Sequence, residues 1–491
     1  MCDFLKKLPH QDRDVILQQG QTRLTFAEVK SYTQALAERF IVMSGESVAV
    51  SLDNSIAWLL VDFALLQANK VSIPVPHFFT TAQVEYTLEQ SKANWLISDT
   101  KLENSAEYSV LDVYGQAIYV YQTRCESTGA YFPKTQKITY TSGSTGAPKG
   151  VCLSVENQLV VASSLCETIA LNRPKHLCLL PLPVLLENIA GVYAPLLSGG
   201  MVEVTELASL GFSGSQLLYP QKLLQKISEV QPNSLILVPE LLRCLISVAQ
   251  QGWQPPASLR FIAVGGAKVD TELLQQAKRL GLPVFQGYGL SESGSVVALN
   301  TGEQDGSVGK LLPHIQARIV ADELEIKGNN FLGYLGGEAI AQDAWLKTGD
   351  RVSKREQHFV IEGRLKNLLI NSFGRNISPE WPESVLLAYV PLLQCVVVGD
   401  GKPFLTALIY TPTQLTAAVI DNAIELANQQ LPDYAQIKCY VRVEEAFSVG
   451  NGMLTANGRP KRDVILANFA QQISALYSQN QYEAAEPVAS V

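Results

Sequence analysis

The sequence is poor in what would build a metal or disulfide framework. Its 8 cysteines are scattered, none forms a CxxC pair, and the histidines (His10, His77, His176, His314, His358) do not cluster with them. Neither a zinc site nor a disulfide scaffold is expected from such spacing. Charge is sparse, 17% of residues, and of the wrong sign for polyanions, with a formal net charge of −8. That balance excludes broad binding to nucleic acid or to an anionic membrane, and leaves room only for a local cationic site. A clean membrane span is also missing. The most apolar stretch, LCLLPLPVLLENIAGVYAPLL, is interrupted by Pro181, Pro183, Pro195, Glu187 and Asn188. It reads as a buried strand, turn and helix rather than a transmembrane segment. The opening MCDFLKKLPHQDRD lacks an apolar core, so no signal peptide is expected, and free cysteines suit a cytoplasmic location. There is no internal repeat and no low-complexity linker.

What is present is a chain of 491 residues, 47% hydrophobic, enough for two or three domains. Apolar strands alternate with helices. LTFAEVKSYTQALAERF has helical spacing, with Thr25 and Glu28 placed as a capping box. ESVAVSLDN and KVSIPVP read as strands on either side of a helical IAWLLVDFALLQAN, and NWLISD follows a helical AQVEYTLEQSKA. Further on, SLILVP, LRFIAVGG and PVFQGYG are strands separated by helical segments. Repeated β-α-β units imply parallel sheets covered by helices. From about residue 300 the pattern becomes short antiparallel strands, and from about 367 a smaller α+β segment begins.

YTSGSTGAPKGV, residues 140–151, carries the most chemistry. It follows the strand-like KITY and precedes a helical ENQLVVASSLCETIA. Hydroxyl residues alternate with Gly143 and Gly146, and Lys149 closes the segment. Glycines let a backbone fold around an anion, and the hydroxyls and the lysine add donors to phosphate oxygens. It is not a Walker A loop, because Pro148 stands where the second glycine belongs and Gly150 follows the lysine. No GxGxxG fingerprint is present; GYGLSE ends in Glu292.

These residues resemble the signature of the acyl-adenylate-forming superfamily, which includes acyl-CoA synthetases, nonribosomal adenylation domains and luciferases. Further motifs follow in order over nearly the whole chain: YGLSE (288–292), LKTGD (346–350), GRLKNLLINSFGRNISP (363–379) and LTANGRPKR (454–462). The resemblance implies an α/β fold: a large N-terminal domain (1–364) of parallel and mixed sheets covered by helices, with a β-rich subdomain. A small mobile C-terminal α+β domain (367–491) follows, with a hinge near 365–367. It also implies a reaction. A carboxylic acid attacks the α-phosphate of ATP to give acyl-AMP and pyrophosphate, and a thiol then displaces AMP. By resemblance, Thr141, Ser142, Gly143, Ser144, Thr145, Gly146 and Lys149 cradle the β,γ-phosphates. Tyr288 and Gly289 lie at adenine, Gly265, Gly266 and Ala267 line the nucleotide and acyl pocket, and Asp350 with Arg364 holds the ribose. Ser291 contacts the α-phosphate and Glu292 holds Mg²⁺, a hard cation suited to carboxylate oxygen.

The acid and the thiol are less legible. LPLPVLLENIAG resembles the region where many long-chain synthetases have LPLxHxxER, but Val184 and Asn188 replace the His and the Arg. The aliphatic Val184, Leu185, Leu186 and Ile189, with Ser295, Val296 and Val297, favour a fatty or other apolar acid over an amino acid. No carrier module is expected after residue 462, so the acceptor is coenzyme A, or phosphopantetheine on an acyl carrier protein supplied in trans. Lys366 occupies the hinge and Gly374 the loop that resembles a thiol-tunnel wall, with Asn367 in place of the more usual Asp. In the family a small-domain lysine reaches the carboxylate and the α-phosphate, and here its place is taken by Arg459. An arginine is a planar fork, not a compact ammonium. Lys461 projects to the same side if the segment is extended, and is the expected donor, with Arg459 as the alternative. A weakly active protein that holds nucleotide or acyl-AMP is a further alternative.

Overall fold

Alternating apolar strands and amphipathic helices build two large sheets in the first two thirds of the chain. The computed structural model describes residues 4–483 except 78, 80, 103–106, 124–130, 142–148, 215, 303–305, 371–375, 390–393, 412–414, 433–434 and 456–457. One sheet has nine strands among the described residues, running from Lys310–Leu311 at one edge to Thr22–Thr25 at the other. The other has eight, from Gly333–Tyr334 to Glu107–Val113. Their central strands are parallel: Ser234–Leu237, Phe261–Val264 and Val284–Tyr288 in the first, Val71–Pro74, Ser47–Ser51 and Trp95–Ser98 in the second. The helix Ile56–Gln67 is buried over nearly its whole length, so it is apolar all round rather than amphipathic. The Thr25 capping box on the helix Phe26–Val42 forms as its sequence demands, with both reciprocal hydrogen bonds present.

A four-stranded antiparallel sheet follows, ordered Gln316–Val320, Glu323–Lys327, Leu346–Arg355 and His358–Arg364. The last segment is a three-stranded sheet, Gln394–Val398, Leu405–Tyr410 and Ile437–Val443, with its own apolar core around Val397, Leu405, Ile409 and Ile420. The α/β class with a β-rich part and a terminal α+β segment is therefore observed.

Two local features depart from the sequence reading. The glycine-rich segment does not lead straight into a helix. Strand Lys137–Thr141 pairs with strand Lys149–Leu153 in antiparallel register, Thr141 opposite Lys149, and only then does the helix Val155–Ile169 begin. The apolar run continues past its turn as a π-helix, Glu187–Tyr193, followed by the helix Ala194–Leu197. Side chains of this wider turn enter buried polar networks. Asn188 and Tyr193 both bond Asp62, whose carboxylate pairs with the fully buried Lys137 at 3.0 Å. Among the described residues no helix is long and apolar enough to cross a membrane.

Candidate active site

Parallel strands end in a crevice where the sheet order changes, and ligands of α/β folds bind at such places. Here Val264 and Tyr288 end neighbouring parallel strands, in register through Val264 and Gln286. Beyond Tyr288 the sheet turns antiparallel, with Tyr288 opposite Ala298. The loop Gly265 to Lys268 and the segment Gly289 to Glu292 therefore emerge side by side. Gly289 has to be glycine, because a Cβ there would lie 1.7 Å from the carbonyl oxygen of Ser295. Ser295 itself has φ of 108°, strained for a residue with a side chain.

The four-stranded sheet supplies the partners. Asp350 and Arg364 are cross-strand neighbours, and Arg364 Nε lies 2.8 Å from Asp350 Oδ1. The Tyr288 hydroxyl donates to Asp350 Oδ2 at 2.5 Å. Arg364 also donates to the Thr348 carbonyl at 3.0 Å, which ties the guanidinium to the turn before the aspartate. Burial raises the Asp350 pKa above the ordinary carboxylate value, against the pull of Arg364 and Tyr288. Burial, reinforced by Asp350, drives the Tyr288 hydroxyl well above its usual value, so it stays a donor. An ionised carboxylate offers about four lone-pair sites. Two are used here, leaving acceptor capacity for a diol.

Glu292 lies in the short 3-10 turn Ser291–Ser293, and its Oε1 accepts from the Tyr334 hydroxyl at 2.8 Å. Tyr334 belongs to the strand paired with Lys149–Leu153, and Lys149 Nζ sits 5.1 Å from the centre of its ring. One tyrosine thus links the base of the glycine-rich hairpin to Glu292. Ser142, Gly143, Ser144, Thr145, Gly146 and Gly374 lie outside the described residues. For Thr141 only the backbone pairing to Lys149 is described. Lys366 is exposed in the short turn Leu365–Asn367.

The segment near the chain end reaches this cluster through Arg459, which the sequence reading held as the alternative to Lys461. Arg459 Nη2 donates to the Gly266 carbonyl at 2.9 Å, and the charges of Asp350 and Glu292 act on its guanidinium. The residue is exposed, and desolvation by the surrounding crevice lowers its pKa, Arg364 adding to the effect. An arginine stays protonated regardless. Lys461 is held differently. Leu454 and Pro460 form a β-bridge, the Lys461 amide bonds the Met453 carbonyl, and Lys461 then caps the helix Arg462–Asn468.

Sequence reading missed two things. Lys268 had no assigned role, yet its Nζ donates to the Glu362 carbonyl at 2.9 Å, and burial lowers its pKa to about 8. A histidine does meet a cysteine: His176, Cys178 and Glu187 bring ligand-type atoms within 4.8 Å of one another. His176 is already bonded on both sides, by Ser234 and Glu187, each at 2.9 Å. Burial holds the Cys178 thiol well above its ordinary pKa, so the group is a satisfied core network. Of the aliphatic residues read as an acyl wall, Leu185, Ile189, Val296 and Val297 are packed in the main core; Val184 and Leu186 are half-buried.

The donor set suits a nucleoside triphosphate with a divalent cation. It has three cations (Lys149, Arg364, Arg459), a buried acceptor for a diol (Asp350) and a carboxylate steadied by Tyr334 (Glu292) around one strand-end crevice. A fold and a site of this kind define a nucleotide-binding enzyme with a terminal segment folded over its nucleotide crevice. Comparison with known proteins makes the class specific: the chain belongs to the AMP-binding enzyme family, whose model matches residues 6–336, and the model of that enzyme's C-terminal domain matches 366–481. It is 26% identical to a long-chain-fatty-acid–CoA ligase of Mycobacterium bovis over 93% of this chain and 92% of the relative. It is 28% identical to a 2-succinylbenzoate–CoA ligase of Bacillus subtilis over 79% and 82% of the two chains. The fold is that of o-succinylbenzoate CoA synthetase from Bacillus subtilis, solved with its acyl-adenylate intermediate. The TM-score is 0.75 at 22% identity, covering 94% of this chain and 97% of that one.

Proposed function

We propose that this protein is an ATP- and Mg²⁺-dependent acid–thiol ligase that activates a fatty or other apolar carboxylic acid to acyl-AMP and passes it to coenzyme A. The single observation that carries the reading is the meeting of Arg459 with Gly266, beside the Tyr288–Asp350–Arg364 cluster. It brings a positive charge from the end of the chain to the crevice that ends the parallel strands.

ATP supplies the activated phosphate and Mg²⁺ neutralises its charge; the protein positions and screens. Asp350 and Arg364 hold the ribose, Tyr288 faces the base, and the hairpin ending at Lys149 holds the outer phosphates. Glu292 carries the metal. Arg459 screens the approach of the carboxylate to the α-phosphate, since bringing two anions together is chiefly a matter of charge and placement. The apolar substrate rests on the half-buried Val184 and Leu186 and on the engagement of the carboxylate in LPLPVLLENIAG, that of the buried Glu187, with His176. The protein divides at 365–367, where the second matched region begins, and the part from 367 onward turns as the small domain. Described cysteines that are free, Cys152, Cys178 and Cys244 among them, support a cytoplasmic setting.

The test is pyrophosphate release over a panel of fatty, aryl and amino acids, with and without coenzyme A. Release with medium- or long-chain fatty acids, and thioester only when coenzyme A is added, is the expected result. No release with any acid overturns the reading. Thioester formed on a phosphopantetheinylated carrier protein but not on coenzyme A changes the acceptor alone.

A further inference from the structure

Arg459 is carried by a turn, and a turn places a side chain accurately only if something fixes its base. Three residues on, Arg462 is clamped. Its Nη2 lies 2.8 and 2.7 Å from the two Glu383 oxygens, and its Nη1 donates to the Val397 carbonyl at 3.2 Å. The same Arg462 faces Glu380 at 3.6 Å. Glu380 in turn reaches elements far apart in sequence. Its Oε1 accepts from the Asn367 side-chain amide at 2.5 Å, and its Oε2 accepts from the Ser378 hydroxyl at 2.8 Å. Nearby in the crevice, Lys268 bonds the Glu362 carbonyl and lies two residues from Gly266, the acceptor for Arg459.

We propose that Glu380 is a positioning residue for adenylation: it ties Asn367, in the turn at the start of the second matched region, to the Arg462 base, and so holds Arg459 at the nucleotide crevice. The identity of residue 367 is part of the device. An asparagine donates to Glu380; an aspartate there would set two carboxylates in contact, which cannot both stay ionised in place. The proposal rests on the assignment of Arg459 as the adenylation cation.

The test uses the full chain as wild type, Asn367→Asp, Glu380→Gln and the Asn367→Asp/Glu380→Gln pair. In the pair the glutamine amide donates to the aspartate, restoring the bridge with its polarity reversed. Asn367→Asp is expected to lower ATP–pyrophosphate exchange with dodecanoic acid by about ten- to a hundredfold, the scale of a misplaced catalytic group. Thioester formation from supplied dodecanoyl-adenylate and coenzyme A should change much less. The double variant should regain most of the lost exchange. Hydrogen–deuterium exchange of peptides covering 453–465, measured with Mg·ATP alone, should quicken in Asn367→Asp and return toward wild type in the pair. That arm needs no acid, and so separates the two readings. If Arg459→Ala adenylates normally while deuterium uptake follows this pattern, the role of Arg459 fails and Glu380 still positions the segment. If Asn367→Asp leaves uptake at 453–465 unchanged, or the double variant does not recover, the Glu380 proposal is overturned whatever Arg459 does.

Discussion

Arg459 Nη2 donates to the carbonyl oxygen of Gly266 across 193 positions of sequence, at 2.9 Å. The contact joins the last turn before the terminal helices to the loop that ends a central parallel strand. It puts a fork-shaped cation at the crevice, whereas the bond described for Lys461 is that of its backbone amide to the Met453 carbonyl.

The first prediction follows directly. Arg459→Ala should slow the adenylation half-reaction by about 10²–10³, the cost of losing one preorganised donor to developing charge. Lys461→Ala should stay near wild type. Pyrophosphate release measured without coenzyme A reads this half-reaction alone. A large loss in Lys461→Ala with a normal Arg459→Ala would reverse the assignment. Arg459→Lys tests shape against charge: a lysine keeps the charge but loses the planar fork that meets the Gly266 carbonyl.

Glu292 is held by the Tyr334 hydroxyl at 2.8 Å, beside Lys149. Glu292→Gln keeps that hydrogen bond and removes the charge a hard cation needs. The expected outcome is a rise in the Mg²⁺ concentration for half-maximal pyrophosphate release, with the fold unchanged by circular dichroism. Tyr334→Phe should give a smaller effect in the same direction, because it frees the carboxylate without neutralising it. An unaltered Mg²⁺ dependence in Glu292→Gln would remove this residue from the metal site.

Much of this is legible in the sequence. The β-α-β alternation gave the parallel strands, and Tyr288 meets Asp350 and Arg364 although its motif lies more than 60 positions before theirs. Those motifs sit at strand ends, where sheet topology makes local sequence predictive. The competition between Arg459 and Lys461 was not legible. An extended segment puts both on one side, and only the β-bridge of Leu454 with Pro460 and the helix begun at Lys461 separate them. The π-helix was hidden too; its Asn188 and Tyr193 bond Asp62, more than 120 positions away in sequence. Leu185 and Ile189 were readable as an acyl wall or as core, because apolar composition is the same in both; packing decides for core.

Glu383 carries a pH dependence that can be isolated. Burial raises its pKa from the ordinary value of 4.5 to about 7, with Arg462 pulling the other way. A carboxyl group whose pKa is raised by folding contributes stability that is full below about pH 4.5 and is lost as pH rises toward 7. Wild type should therefore lose stability relative to Glu383→Gln over that interval, whatever the other groups in the chain do. The glutamine carbonyl can still accept from Arg462. Thermal unfolding of both proteins at half-unit steps from pH 4.5 to 7.5 gives the difference curve. A flat difference would show that Glu383 is ionised at no cost.

The buried pair Lys137–Asp62 gives the sharpest stability test. Both side chains are almost fully inaccessible, at 1% and 2% exposure, and the carboxylate is also bonded by Asn188 and Tyr193. Desolvation lowers the Lys137 pKa, against the attraction of Asp62. Removing one partner strands the other charge in a low-dielectric interior, at a typical cost of about 3–5 kcal/mol. Lys137→Met should thus destabilise strongly, and Asp62→Leu should do the same. Replacing both removes the stranded charge and should recover much of the loss, although Asn188 and Tyr193 lose their acceptor. Denaturant unfolding of the two single variants and the double variant closes the cycle. Additive losses would mean that the two charges do not depend on each other, contrary to their 3.0 Å contact.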